Sequence, residues 1–402
     1  HAMRTEAGSP DRGALANEWP GAGADASAEL LQTFLTSERE QARFDQLDAV
    51  MLELPGGDLR RRAWLSHSAT GAVWVSSWPD RHAWTCCREW IEITSAYFAL
   101  PSPACAPLVG QLIGQGGHRR ARPRVDAHGD TPCSTSLPGD GWTRFRHEPL
   151  QREIVDIARH AGIAADGEIL GLLRGAVPAD AWSRLQEWHS DARALRGLVP
   201  DLRMYLPPQG DSTAADVMVI FEIKTIQACP TRYPPGLSRR REAVQRRACL
   251  IAGEYETKLR ILDQRLGYEN DSGPLLTRLR SLPQVVPLVV GAYAELNDDF
   301  EQLISILARC GGDRQLRQVG APSRRAATGA LAWLYRRRIG FTALRGQARL
   351  KLESLRYAGE DGATRARASV AQRAAATALQ RAAHGAWRKR VSAHRADFGP
   401  WQ

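Results

Sequence analysis

Val199-Pro200-Asp201-Leu202-Arg203-Met204-Tyr205-Leu206, a Pro/Gly/Ser-rich break at 207–213, and then Asp216-Val217-Met218-Val219-Ile220-Phe221-Glu222-Ile223-Lys224-Thr225-Ile226 form the stretch on which the reading of this chain turns. Both halves are apolar runs of strand length bounded by turn-forming residues. Side chains two apart on a strand leave the same face, so Glu222 and Lys224 project together. If the runs pair across the break, Asp201 reaches the same edge. Buried charges are costly unless they are paired or bound to a metal, and Glu222 and Lys224 interrupt a run that otherwise reads as buried on both faces. Two carboxylates and a lysine at one sheet edge suit a divalent-metal site for phosphodiester hydrolysis. Asp201 and Glu222 are the natural ligands of Mg²⁺ or Mn²⁺, with the Ile223 carbonyl beside them, and Lys224 is placed to act on the attacking water. The plainer alternative is a surface hairpin with a cross-strand ion pair.

The flanking elements extend this to an α/β unit over 142–312. Upstream, Pro149 to Ala161 reads as a helix with proline in its first turn and Leu150, Ile154, Ile157 and Ala161 on one stripe. A short strand is expected at Glu168–Leu173 and an inserted helix at Ala179–Leu198. Downstream, the pattern predicts a long helix over Leu237–Leu266 and a buried strand over Gln284–Leu296. Asn297 is in place to cap the helix that follows it.

Outside this core, residues 1–27 are rich in Ala, Gly, Ser and Pro and are expected to be disordered. The opening His1-Ala2-Met3 reads as a cloning remnant, and no signal-peptide pattern is visible. Residues 28–141 form an α+β accessory region. It holds one or two helices over 28–54, a hairpin around Ala69-Thr70-Gly71, a helix over 81–99 and a loop-like segment over 101–141. Trp64, Trp74 and Trp78 either pack that hairpin or offer stacking surfaces to bases. Residues 313–402 are basic, with apolar helical patches near 326–335 and 346–356, and then an Ala/Arg-rich stretch expected to be a solvated helix or disordered.

The chain of 402 residues carries 54 Lys and Arg against 44 Asp and Glu, a formal charge of +10. Arginine supplies most of the positive charge, which fits a polyanionic partner; a GC-rich coding sequence accounts for the same bias. No apolar run reaches the roughly 18–20 residues of a membrane span. The seven cysteines are odd in number and scattered, which fits a reducing compartment better than a disulfide framework.

Taken together, Pro200-Asp201 and Glu222-Ile223-Lys224 resemble the PD-(D/E)XK motif of restriction-endonuclease-like nucleases. The resemblance implies a central mixed sheet flanked by helices, and magnesium-dependent hydrolysis of DNA. In such nucleases an acidic residue of the first helix sometimes joins the metal site, which makes Glu153 a candidate. The helix after the lysine often lies against the scissile phosphate, which points to Arg246, Arg247, Tyr255 and Lys258; the alternative for these is a solvated helix face. Arg336, Arg337 and Arg338 are the best candidates for sequence-independent phosphate binding.

A second likeness lies upstream, in Asp126-Ala127-His128-Gly129-Asp130-Thr131-Pro132-Cys133 and in Arg146-His147-Glu148. These are similar to the segment that precedes the endonuclease domain of some eukaryotic non-LTR retrotransposon proteins. Thr131 stands where that pattern has histidine, and no C-x-C precedes Asp126. The likeness implies a mobile-element nuclease. It also implies a zinc site drawn from Cys105, His118 or His128, Cys133 and His147, or else a metal-free knuckle whose histidine caps or packs the nuclease helix. No reverse-transcriptase motif is visible. Double-strand cutting by one site implies a homodimer or a second event. The competing functions are a non-catalytic nucleic-acid-binding protein and an end-dependent exonuclease acting on DNA or RNA.

Overall fold

In chain order the elements of the computed structural model are α1 (Ala24–Glu53), α2 (Cys87–Tyr97), α3 (Asp130–Ser134), α4 (Glu148–His160), β1 (Ala165–Gly167), β2 (Leu202–Leu206), β3 (Val217–Thr225), α5 (Glu242–Arg265), α6 (Pro274–Ser281), β4 (Val285–Val290), α7 (Asp298–Gln315) and α8 (Arg324–Leu355). The structure describes residues 24–55, 86–98, 100–114, 122–135, 143–167, 200–208, 215–229, 231–234, 241–269, 271–318 and 320–369, with a few isolated positions besides. The expected hairpin around Ala69-Thr70-Gly71, the strand at 168–173, the helix at 179–198 and His118 lie outside the described residues. The chain divides after Pro55 into two units, the first containing α1 and the second everything from Gly56.

β2 and β3 pair antiparallel, with Leu202 opposite Phe221 and Leu206 opposite Val217. β1 adds to the other edge of β2, also antiparallel. β4 lies parallel to β3, with Ile220 opposite Val285 and Thr225 opposite Val290. The described strands thus make one open mixed sheet in the order β1-β2-β3-β4. A parallel pair needs a crossover, and α5 with α6 supplies it.

Alternation along the strands sends side chains to two cores. Leu202, Met204, Phe221 and Ile223 bury against Leu150, Ile154 and Ile157 of α4, Phe300 and Leu303 of α7, and Leu331 and Tyr335 of α8. Ile220, Val285 and Val289 face the other way, onto Val244, Ala248, Ile251 and Tyr255 of α5. The sheet therefore lies between two helical layers. Each such side chain contributes about 1.5–3 kcal/mol when fully buried. The apolar stripe of α4 read from the sequence is the stripe that is buried, and Pro149 sits in its first turn.

Several expectations are corrected. The segment over 101–141 includes α3, whose start is organised by Asp126. The Asp126 carboxylate accepts the N–H groups of His128, Gly129 and Asp130 at 2.7–3.2 Å and that of Thr131 at 2.6 Å. The strand expected to run to Leu296 stops at Val290, because a tight turn follows. There the wholly buried Glu295 carboxylate takes the Tyr293 N–H and the Tyr233 hydroxyl. Asn297 holds the N-cap position of α7 but makes no side-chain cap bond. Its amide instead accepts from Val289 N–H and donates to the Pro287 carbonyl, tying α7 to β4. The two apolar patches in the basic region join in the single helix α8, which lies against α7, α4 and α2. Ser323 caps it, accepting the Ala326 N–H. In its last turns Lys351 meets Glu92 of α2 at 3.0 Å in a fully buried ion pair. α1 starts at Ala24, inside the stretch expected to be disordered, and spans in one piece the region read as one or two helices. Among the described residues no helix is long and apolar enough to cross a membrane.

Candidate active site

Asp201 precedes β2, and Glu222 and Lys224 lie near the end of β3. Because these strands run antiparallel, all three residues come to one end of the sheet. The Asp201 carboxylate accepts the Ile223 N–H at 2.7 Å. Ile223 lies past the last β2–β3 pair, so its peptide edge on that side is open to Asp201. N–H and C=O of one strand residue leave the same side, so the Ile223 carbonyl also faces the Asp201 edge. The donors expected for a divalent cation, the carboxylates of Asp201 and Glu222 and the Ile223 carbonyl, thus lie at one end of the sheet.

The Glu222 carboxylate is buried. One oxygen pairs with the Lys224 ammonium, and the other accepts the Tyr255 hydroxyl at 2.5 Å. Burial and then the nearby charge of Asp201 push Glu222 above the ordinary carboxylate range, outweighing Lys224 and Tyr255. A carboxylate raised by burial and by a second carboxylate beside it is an environment that a bound cation would favour. Such a set of hard oxygen donors suits Mg²⁺ or Mn²⁺. The Lys224 side chain, 30% exposed, reaches solvent beside this group.

The residues that hold this geometry were not read from the sequence as a set. The wide helical turn Thr143–His147 leads into α4. His147 Nε2 lies 2.9 Å from the free oxygen of Asp201. Burial alone would lower the His147 pKa, but the bond and charge of Asp201 outweigh that and raise it. Arg146, next to it, is buried and donates to the Ile226 carbonyl at 2.8 Å, just past the end of β3. Gln151 on α4 donates to the Asp201 carbonyl at 2.6 Å. The Arg-His pair therefore ties the start of β2 to the exit of β3. α8 allows this through Gly346, where an added Cβ would stand 2.5 Å from the Phe145 carbonyl oxygen. The sequence signals were the Arg146-His147-Glu148 helix opening and one polar residue, Gln151, among the buried positions of α4.

Other predicted residues fall elsewhere. Glu153 does not join the site; it pairs with Arg338 of α8, since α4 turns that side toward α8. Tyr255 is buried and its hydroxyl is turned to Glu222 instead of to solvent; burial and the Glu222 charge raise that hydroxyl far above its usual value. Arg246 pairs with Glu242 and Arg247 with Glu254. Lys258 is exposed, 6.0 Å from the Tyr255 ring. Arg336 pairs with Glu301 at 2.8 Å, and Arg337 lies over the Trp333 ring at 5.1 Å. Among the described residues the expected zinc ligands do not gather into one site. His147 is on Asp201. Cys105 is buried among Ile113, Val125 and Leu355. Cys133 lies 3.9 Å from the Gln347 carbonyl, its thiol pushed up to about 11 by burial. Gly129 is left-handed at φ +85° and gives room to Lys351, so the Asp126-to-Cys133 motif has a structural explanation as a capped turn against α8. Among the described residues, no three His, Cys, Asp or Glu side chains gather as metal ligands.

Comparison of the chain with protein-family models, with curated proteins and with solved structures gives no match.

Proposed function

We propose that this protein is a metal-dependent endonuclease that hydrolyses DNA phosphodiester bonds, built on a restriction-endonuclease-like core. The observation that carries the reading is the meeting of Asp201, Glu222 and the Ile223 carbonyl at one sheet end, with Lys224 beside them. The order helix, antiparallel strands, helix and parallel strand supports the fold assignment. The Arg146-His147-Glu148 opening supports an origin in a mobile element.

Asp201, Glu222 and the Ile223 carbonyl would hold Mg²⁺ or Mn²⁺. When bound, such an ion lowers the pKa of its water and offsets charge on the phosphoryl oxygens. His147 holds Asp201 in place through its free oxygen, and Tyr255 does the same for Glu222. Lys224 orients the attacking water or offsets the charge that gathers on the phosphorus-bound oxygens. A preorganised charge of this kind is worth about 2.7–4 kcal/mol, or roughly a hundredfold to a thousandfold in rate.

The test is plasmid cleavage in Mg²⁺ or Mn²⁺ by wild type, Asp201→Ala and Lys224→Ala. Cleavage by wild type alone is expected. Equal cleavage by all three proteins, or by none, overturns the reading. Comparing circular with linear DNA separates an endonuclease from an end-dependent exonuclease.

A further inference from the structure

Arg247, Glu254 and Lys258 lie on α5, the helix whose buried Tyr255 hydroxyl holds Glu222. Arg247 meets the Glu254 carboxylate with both terminal nitrogens, one of them at 2.9 Å. A guanidinium holding two oxygens of one anion in this way is the geometry with which arginine takes a phosphate. Lys258 is one helical turn from Glu254, on the same side of the helix. Tyr255 of the same helix, Glu222 and Lys224 form a continuous chain of contacts, and Lys224 is near enough to act on the Glu254 charge. The Arg247 side chain is 15% exposed and that of Glu254 38%, so the carboxylate is the more accessible partner. Its oxygens thus stand where those of a bound phosphate would be expected.

We propose that Glu254 occupies a phosphate-binding position formed by Arg247 and Lys258 beside the Asp201–Glu222–Lys224 group, and that a nucleic-acid phosphate binds by displacing it. The proposal rests on the nuclease reading and adds to it a built-in competitor. Arg247, then Lys258 and Lys224, hold Glu254 below the ordinary carboxylate range, so it stays ionised at neutral pH. A free phosphate ion gains little by replacing a carboxylate already in place. A backbone phosphate, delivered by contacts along the duplex, gains more. Glu254 thus favours extended polyanions over small anions at the catalytic face.

The experiment is fluorescence anisotropy with a labelled DNA duplex in EDTA, so that binding is measured without cleavage. Glu254→Gln is expected to bind about fivefold tighter than wild type, the size expected for removing one like charge near a phosphate. Glu254→Ala, which also removes the hydrogen bond to Arg247, should show at least as large a gain. Arg247→Ala should bind more weakly and lower the salt dependence by about one counterion. The gain from Glu254→Gln should shrink in the Arg247→Ala background. Wild type that binds DNA with neither Glu254 variant tighter overturns this inference alone. Wild type with no measurable DNA binding overturns the nuclease reading and this inference with it.

Discussion

Two Glu–Lys pairs in this molecule look alike on paper and differ in kind. Glu92 and Lys351 join α2 to α8, with side chains 1% and 3% exposed. Glu222 and Lys224 sit at the end of β3, 8% and 30% exposed. Glu92 also accepts the Ser102 hydroxyl at 2.6 Å and the Ala104 N–H at 2.9 Å. Burial works to raise its pKa, yet Lys351 and those donors outweigh it and hold Glu92 below the usual range. Glu222 goes the other way, raised by burial and by Asp201. The first pair is closed and fully compensated. The second pairs Lys224 with Glu222 alone, leaves Asp201 to His147, and stays open to solvent. Burial of charge by itself does not mark a site; incomplete compensation next to solvent does.

The largest effect should be on catalysis. Asp201→Ala or Lys224→Ala should lower kcat/KM for plasmid cleavage by roughly a hundredfold or more. The comparison breaks if a Lys351 variant that remains folded loses as much.

On stability the ranking reverses. Lys351→Met strands the Glu92 charge in the interior and should cost about 3–5 kcal/mol in urea unfolding. Lys224→Met should cost under about 1 kcal/mol, because that lysine is part-exposed and Glu222 keeps its bond from the Tyr255 hydroxyl. Equal losses would erase the distinction between the pairs.

A smaller effect is expected at Gly346. Alanine there presses on the Phe145 backbone and should cost about 1–3 kcal/mol. It should also shift His147 and weaken the metal dependence of cleavage about tenfold, as loss of a supporting contact does. A Gly346→Ala protein with wild-type metal dependence would detach α8 from the site.

The smallest effect is in the pH dependence of metal-free stability. The folded-state pKa of Glu222 is raised, so its contribution is full below the ordinary value of 4.5 and is lost as pH rises through the folded value. Glu222→Gln should therefore gain on wild type as pH rises above that range. The folded-state pKa of Glu92 is lowered, so its contribution is present above 4.5 and is lost as pH falls through the folded value. Glu92→Gln should fall behind wild type as pH rises. Slopes of the same sign in denaturation series would contradict the contrast.

Local pattern carried much of this. The Leu202–Leu206 alternation, the doubly buried β3 and the α4 stripe gave the strands, the central helix and the placing of Asp201, Glu222 and Lys224 together. Partners distant in sequence were out of reach of periodicity. Lys351 and Glu92 are 259 positions apart, and Arg338 and Glu153 are 185 apart. The arginines of α8 read as solvated or phosphate-binding because their acids lie on other helices. His147 read as a zinc ligand or a packing residue because nothing local links it to Asp201. The turn after Val290 was missed because Gly291-Ala292-Tyr293-Ala294 continues an apolar run and only the buried Glu295 breaks it.

The central claim is that Asp201 and Glu222 together bind a divalent cation. Titrating the chelator-treated protein with Mn²⁺, without nucleic acid, and counting bound ions by electron paramagnetic resonance tests it directly. Wild type and Glu92→Gln should bind Mn²⁺, and Asp201→Ala and Glu222→Gln should lose that binding. Mn²⁺ bound equally by wild type and Asp201→Ala, or not bound by wild type, would contradict the account.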